Sequence, residues 1–280
     1  MKLLAFLAMA FLLTDNALAE APKRIVSIGG ANTEILYGLK VEDRLVGSDT
    51  TSYYPKAAQQ TPKVGYMRAL SAEGILSLKP DLVILAEQSG PPPVLAQLEQ
   101  VGVKMLKIEE AHSIADVKAN INLIAKTLDV LDQAKPVLEK IDKDVALLEK
   151  TIEQNPISPS LMYILQAGGG APLAAGEQTA ADHIIKLSGA KNAVLGYDGY
   201  KPLTPESAVK MKPDYILVSR HGQGGSSGVK QFKNAPGVHL TRAAQEGRVI
   251  EMDMLFLLGF GPRTAEAALK LRSLYSGQQS

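Results

Sequence analysis

Short apolar runs alternate with helix-spaced apolar positions along most of the chain. Arg24-Ile-Val-Ser-Ile28 reads as a strand ending at Gly29-Gly30, and Ile35, Leu36 and Leu39 after Asn32-Thr33-Glu34 have the spacing of a helix. Further strand-like runs at 45–47, 82–85 and 104–108 alternate with helical patterns at 71–78 and 94–101. This alternation predicts a parallel sheet covered on both faces. From Ser113 to about Glu153 the pattern changes: apolar positions recur at helical spacing among many charges, with no strand signal. Pro136 either starts the second helical segment or kinks a continuous one. Asn155-Pro-Ile-Ser-Pro159 ends the stretch, and Leu161 to Leu165 opens a second α/β series. Thr179 is placed to cap a helix running to Leu187 with Gly189 beyond it. A late strand at 249–252 and a closing helix at 263–275 complete the pattern.

Two stretches match each other. Ser71-Ala-Glu-Gly-Ile-Leu-Ser-Leu-Lys-Pro-Asp-Leu-Val-Ile-Leu85 and Thr204-Pro-Glu-Ser-Ala-Val-Lys-Met-Lys-Pro-Asp-Tyr-Ile-Leu-Val218 share four identities in fifteen positions. Gly65-Tyr66 precedes the first and Gly199-Tyr200 the second, which favours duplication over chance similarity of a common helix-turn-strand unit. The expected architecture is α/β: two Rossmann-like lobes with mostly parallel sheets, joined by a long helix, with a ligand cleft at the carboxyl ends of the strands. The lobes are expected over 20–113 and 154–280, with the connecting helices at 114–153. That helical region is either a surface pair or a rigid bridge. Its position between the two repeat copies favours the bridge.

Composition narrows the class. Thirty basic residues against 29 acidic ones leave a net charge of +1, and no basic stripe interleaved with aromatics suits nucleic acid. Lys2, the apolar run from Leu3 to Leu13 and Ala17-Leu-Ala19 read as a secretory signal peptide cleaved after Ala19, covering 1–19. That run is too short to span a bilayer, which needs roughly 18 or more apolar residues. The absence of cysteine excludes disulfides, thiolate metal sites and a lipid anchor on Cys.

No catalytic constellation stands out. His112, His183, His221 and His239 lack ligand spacing and read as structural or exposed residues. Gly168-Gly-Gly170 and Gly222-Gln-Gly-Gly225 fit neither phosphate-loop spacing nor the dinucleotide fingerprint, and read as turns at the cleft mouth. Tyr66, in Gly65-Tyr-Met-Arg-Ala-Leu70, either caps a core edge or offers a hard phenolate donor to ferric iron, with Arg68 as a supporting neighbour.

At Asp49-Thr-Thr-Ser52, at 63–76 around Gly65-Tyr-Met-Arg68, at Tyr200-Lys-Pro-Leu203 and at Leu258-Gly-Phe-Gly-Pro-Arg-Thr264 the chain resembles periplasmic haem-binding proteins of bacterial ABC importers. That class also holds siderophore- and cobalamin-binding proteins, and the resemblance spans nearly all of the chain after the signal segment. It implies a monomeric periplasmic carrier, not an enzyme, that takes haem arriving through an outer-membrane receptor system and delivers it to an inner-membrane ABC permease and its ATPase. By the same resemblance Tyr66 is the axial ligand of the haem iron and Arg68 its support. Glu73 and Glu206, at the same place in the two repeats, are implied to dock onto permease arginines, although a helix-surface carboxylate alone is usually just solvated. Some family members carry a His after the strand at 161–165, where this chain has Gln166-Ala-Gly-Gly-Gly170. One five-coordinate haem per chain is therefore expected, with His221 or Arg220 as residues that could approach from the second lobe. Propionates are expected to meet Lys, Arg or the helix opening near Thr33. A ferric siderophore or cobalamin carrier of the same fold is the alternative, and a tetrapyrrole chelatase a more distant one.

Overall fold

The computed structural model describes residues 21–165, 172–221, 229 and 237–277. The signal-peptide segment and both glycine-rich loops lie outside the described residues. The first sheet is wholly parallel, in the order β2-β1-β5-β6: β1 Ile25–Ile28, β2 Leu45–Ser48, β5 Leu82–Ala86 and β6 Met105–Ile108. Its central strands are buried on both faces, which is why Ile-Val-Ser-Ile and Leu-Val-Ile-Leu read as apolar runs rather than alternations. Helices α1 (Gly30–Gly38), α2 (Ala72–Ser77) and α3 (Pro92–Gln100) lie between these strands in the chain. Between β2 and α2 a short antiparallel hairpin pairs β3 (Gly65–Tyr66) with β4 (Ala69–Leu70). Tyr66 therefore sits on a hairpin.

The middle of the chain forms α4 (Ile114–Thr127) and α5 (Leu131–Gln154). Ser113 caps α4 by accepting from the Asp116 amide. Pro136 lies inside α5, five residues after its start, so it neither begins the helix nor divides it. At the sixth position it lies past the helix's unpaired first donors, so the missing amide leaves the Asp132 carbonyl without its intrahelical partner. Helix α5 packs on α1 near its beginning, where Gly38 faces Val137, and on the closing helix α10 (Thr264–Tyr275) further along. One continuous apolar core runs from Ile25 and Leu36 through Ile141 and Leu148 to Leu161 and Leu271.

The second sheet follows the order β10-β8-β7-β11-β12, with β9 (Lys191–Asn192) also paired to β7. Strands β7 (Ser160–Leu165), β11 (Tyr215–Arg220) and β12 (Val249–Asp253) are parallel, whereas β8 (Leu173–Ala175) runs antiparallel to β7 and to β10 (Tyr200–Pro202). This sheet is mostly parallel but mixed, because two three-residue strands too short to show a pattern add an antiparallel edge. Around it lie α6 (Ala180–Leu187), α7 (Pro205–Met211), α8 (Arg242–Gln245) and α9 (Met254–Leu258). Thr179 caps α6 through the Asp182 amide at 3.0 Å, and Gly189 follows with φ +86°.

The two matched stretches have the same local structure. In each, a glycine with positive φ (Gly65 at +108°, Gly199 at +78°) precedes the tyrosine on a short antiparallel strand. A hydroxyl residue then caps a short helix, Ser71 through the Gly74 amide and Thr204 through the Ser207 amide. An all-parallel strand, β5 or β11, follows.

Candidate functional site

A cleft of about 690 Å³ opens between the two sheets. Its walls come from the carboxyl ends of parallel strands: Gly29-Gly30 after β1, Gln88 after β5, Glu110 after β6, His221 after β11 and Leu255 after β12. That is where open α/β sheets bind ligands, since helix openings and loop backbone converge there. The volume lies within the roughly 300–1,000 Å³ of small-molecule sites. Aliphatic and aromatic side chains such as Ile35, Ile108, Leu173, Leu258 and Phe260 supply most of the surface.

The turn from β1 into α1 is fixed by the Asp49–Ser52 motif. Asp49, fully buried, accepts from the Gly29 amide at 2.9 Å, the Thr51 amide at 2.9 Å, the Thr51 hydroxyl at 2.7 Å and the Ser52 hydroxyl at 2.8 Å. The Thr51 hydroxyl accepts from the Gly30 amide, and the Thr33 amide donates to the Gly29 carbonyl. The Gly30 and Thr33 amides of this helix opening are thus occupied from within. Lys63 is occupied as well: its ammonium donates to the Ser48 hydroxyl and to the Ser52 and Ala58 carbonyls. Gly29 is required by geometry, since φ is +102° and a Cβ would stand 2.8 Å from that of Ala86.

Tyr66 and Arg68 are brought together. The hairpin holds both on one cleft wall, and Arg68 Nη1 donates to the Tyr66 hydroxyl oxygen at 3.0 Å while 42% of Tyr66 stays exposed. The chain of contacts continues across the rim: Arg68 Nη2 donates to the Gln88 side-chain oxygen, and Gln88 Nε2 donates to Glu110 Oε2 at 2.7 Å. Glu87 in turn accepts from the Glu110 amide. Sequence reasoning missed Gln88 and Glu110, which carry no motif and meet only because β5 and β6 are neighbours. It also left Tyr200 without a role, although the repeated Gly-Tyr pair was a signal. Tyr200 lines the same cleft from the second sheet, and burial, reinforced by the negative charge of Glu110, pushes its pKa up to about 12.

His221 lines the cleft with its ring edge-on to Tyr53 at 5.2 Å. His112 and His183, apart in sequence, are in contact with ring centroids 4.9 Å apart. Among the described residues no group of three or more His, Asp or Glu side chains is placed to hold a metal ion. Glu73 and Glu206 each occupy the first turn of their capped helix and are exposed.

The two lobes are tied beside the cleft. Arg263, in the Leu258–Thr264 motif, grips Glu34 of α1 with Nε to Oε2 at 2.8 Å and Nη2 to Oε1 at 2.6 Å, and its guanidinium lies 3.5 Å from the centroid of the Tyr54 ring. Tyr53 accepts from the Leu255 amide at 2.9 Å and donates to Asp253 at 3.2 Å. Burial raises the Glu34 pKa, and Arg263 opposes that shift without cancelling it.

A family model described as periplasmic binding protein matches residues 25–254. The structure is similar to that of the periplasmic heme-binding protein BhuT in complex with two hemes, with a TM-score of 0.83, 39% identity and coverage of 91% of this chain and 98% of that one. An uncharacterized ABC transporter substrate-binding lipoprotein, YvrC of Bacillus subtilis (strain 168), is 29% identical over 93% of this chain and 82% of its own length. The vitamin B12-binding protein of Vibrio vulnificus (strain CMCP6) is 28% identical over 77% of this chain and 78% of its own length.

Proposed function

This chain belongs to the periplasmic binding protein family, and from that membership and the cleft we propose that it captures ferric haem outside the cytoplasm and delivers it to an ABC permease. The observation that carries the reading is the exposed Tyr66 phenol in an apolar cleft with a guanidinium 3.0 Å from its oxygen. Iron ligation puts negative charge on that oxygen, and the adjacent cation compensates it in the partly desolvated cleft. The apolar walls take the porphyrin faces. Burying about 400 Å² of apolar surface supplies roughly 10 kcal/mol before the costs of association.

The charged rim orients the cargo. Arg68 shares the cleft lining with Glu87, Glu109 and Glu110, so cation and carboxylates together set the field at this rim. One haem, bound through Tyr66, is the stoichiometry favoured by a single phenol paired with a cation. In this reading the segment 1–19 directs export and is removed after Ala19. The lobes extend over 20–113 and 154–280 with the helices between them. Glu73 and Glu206, exposed at equivalent places on the two lobes, dock onto basic residues of the permease. The protein binds and releases its cargo unchanged and has no catalytic step.

Hemin titration followed by absorbance tests the reading. Saturation is expected at one equivalent, with a tyrosinate-to-iron charge-transfer band that Tyr66→Phe and Tyr66→Ala abolish. Unchanged spectra in both variants would remove Tyr66 from the site, and saturation at two equivalents would overturn the stoichiometry. The B12-binding relative supports a second reading, a cobalamin carrier of the same fold. Cyanocobalamin binding with no Soret change on hemin addition would establish it over haem.

A further inference from the structure

The duplication gives the cleft two phenols, one from each lobe. Tyr66 and Tyr200 each follow a positive-φ glycine, sit on a short antiparallel strand and precede a helix capped by a hydroxyl residue. Both line the cleft. Equivalent positions do not have equivalent chemistry here, because their charged neighbours are opposite in sign.

Beside Tyr66 stands the Arg68 guanidinium, which donates to the phenol oxygen. Tyr200 shares the cleft lining with Glu110, whose negative charge acts on its phenol and which is already engaged through Gln88 in the network that begins at Arg68. An anion at Tyr200 would lose solvation among the cleft walls and, secondarily, would be repelled by Glu110. A neutral phenol there keeps its proton and is a poor ligand for ferric iron. Its O–H remains a good hydrogen-bond donor, and its ring offers an apolar face to a flat cargo.

Resting on the haem reading above, we propose that Tyr200 is a specificity-determining residue of the second lobe that donates a hydrogen bond to an oxygen acceptor of the bound cargo and does not ligate the iron. The two copies of the Gly-Tyr unit thus divide their work: the first holds the metal through oxygen, and the second holds an oxygen through its proton. Glu110, joined to the first phenol's partner Arg68 through Gln88, adds to burial in disfavouring an anion at the second phenol. Two oxygen sources fit the donor, a haem propionate and an oxygen ligand on the iron face opposite Tyr66.

The test compares wild type, Tyr200→Phe and Tyr66→Phe in hemin and hemin dimethyl ester titrations, read by affinity and by the charge-transfer band. Tyr200→Phe removes one oxygen and keeps the ring. It is expected to weaken hemin binding about tenfold, the size of one hydrogen bond to a charged or strongly polar partner, and to leave the band in place. Tyr66→Phe is expected to abolish the band. A loss in Tyr200→Phe seen with hemin and absent with the ester identifies a propionate acceptor, and a loss seen with both identifies an iron-bound oxygen. The proposal is overturned if Tyr200→Phe binds hemin within twofold of wild type, or if it loses the band as Tyr66→Phe does. Should wild type itself give no band and no saturable binding, the haem reading fails, and that outcome is distinct from a silent Tyr200 variant.

Discussion

Replacing Arg263 by methionine isolates the electrostatic tie between the lobes. The substitution keeps most of the aliphatic stem and removes the guanidinium that grips Glu34 with two contacts of 2.6 and 2.8 Å. Glu34 is only 7% exposed, so its carboxylate is left buried with neither water nor a cation to stabilise it. Breaking one side of a buried pair in this way costs about 3–5 kcal/mol at neutral pH. Loss of the stacking on Tyr54, 3.5 Å from guanidinium to ring centroid, is contained in that figure and accounts for about 0.5–2 kcal/mol of it. Removing both charges in Glu34→Gln/Arg263→Met leaves no uncompensated ion, and the double variant is expected to lose about 2–3 kcal/mol less than the sum of the single ones. Urea unfolding followed by far-ultraviolet circular dichroism on the four proteins measures that coupling. The sign with pH follows from Glu34. Burial raises its folded pKa above the ordinary 4.5, so its contribution is fully present below 4.5 and is lost as pH rises through the folded value. Without Arg263 to oppose it the shift grows, and Arg263→Met should recover stability on acidification between neutral pH and about 5 more than wild type does. A coupling under about 0.5 kcal/mol, or no such recovery, would refute the claim that this pair carries charge in a desolvated setting.

Asp49→Ala strips an acceptor from four donors and is expected to destabilise by about 3 kcal/mol or more, read as a lower urea midpoint; a loss under about 1 kcal/mol would deny the motif its role in fixing the β1 to α1 turn. The His112–His183 contact predicts a pH effect of opposite sign to that of Glu34. Burial first and His112 second lower the His183 pKa below 6.5, with Asp182 and Asp116 opposing and Lys186 adding to the shift. The unfolded chain therefore takes up its proton first, and the contribution present above 6.5 is lost as pH falls through that value toward the folded one. Urea midpoints at pH 7.5 and 5.5 should show His183→Gln losing less stability on acidification than wild type, and an equal or larger loss would remove the pair from the pH response.

The order of strands and helices in the first lobe follows from the sequence alone, because strands buried on both faces must be apolar throughout and amphipathic helices must repeat near 3.6. The caps at Ser71, Thr179 and Thr204 were equally legible, since each is a local bargain between a hydroxyl and an amide three residues on. Tyr66 beside Arg68 was legible too, being two residues apart on one hairpin. What tertiary structure decided is everything whose partners come from different elements. Asp49 turned out to hold a buried turn, and Arg263 to bridge the lobes to a residue 229 positions earlier. Gln88 and Glu110 joined Arg68 across neighbouring strands, and His112 found His183. A sequence records propensities over a few residues, whereas the charge beside a phenol depends on which strand ends the sheet brings to the same rim. For that reason the repeat announced two equivalent tyrosines, and only the folded chain set a guanidinium beside one and a carboxylate beside the other.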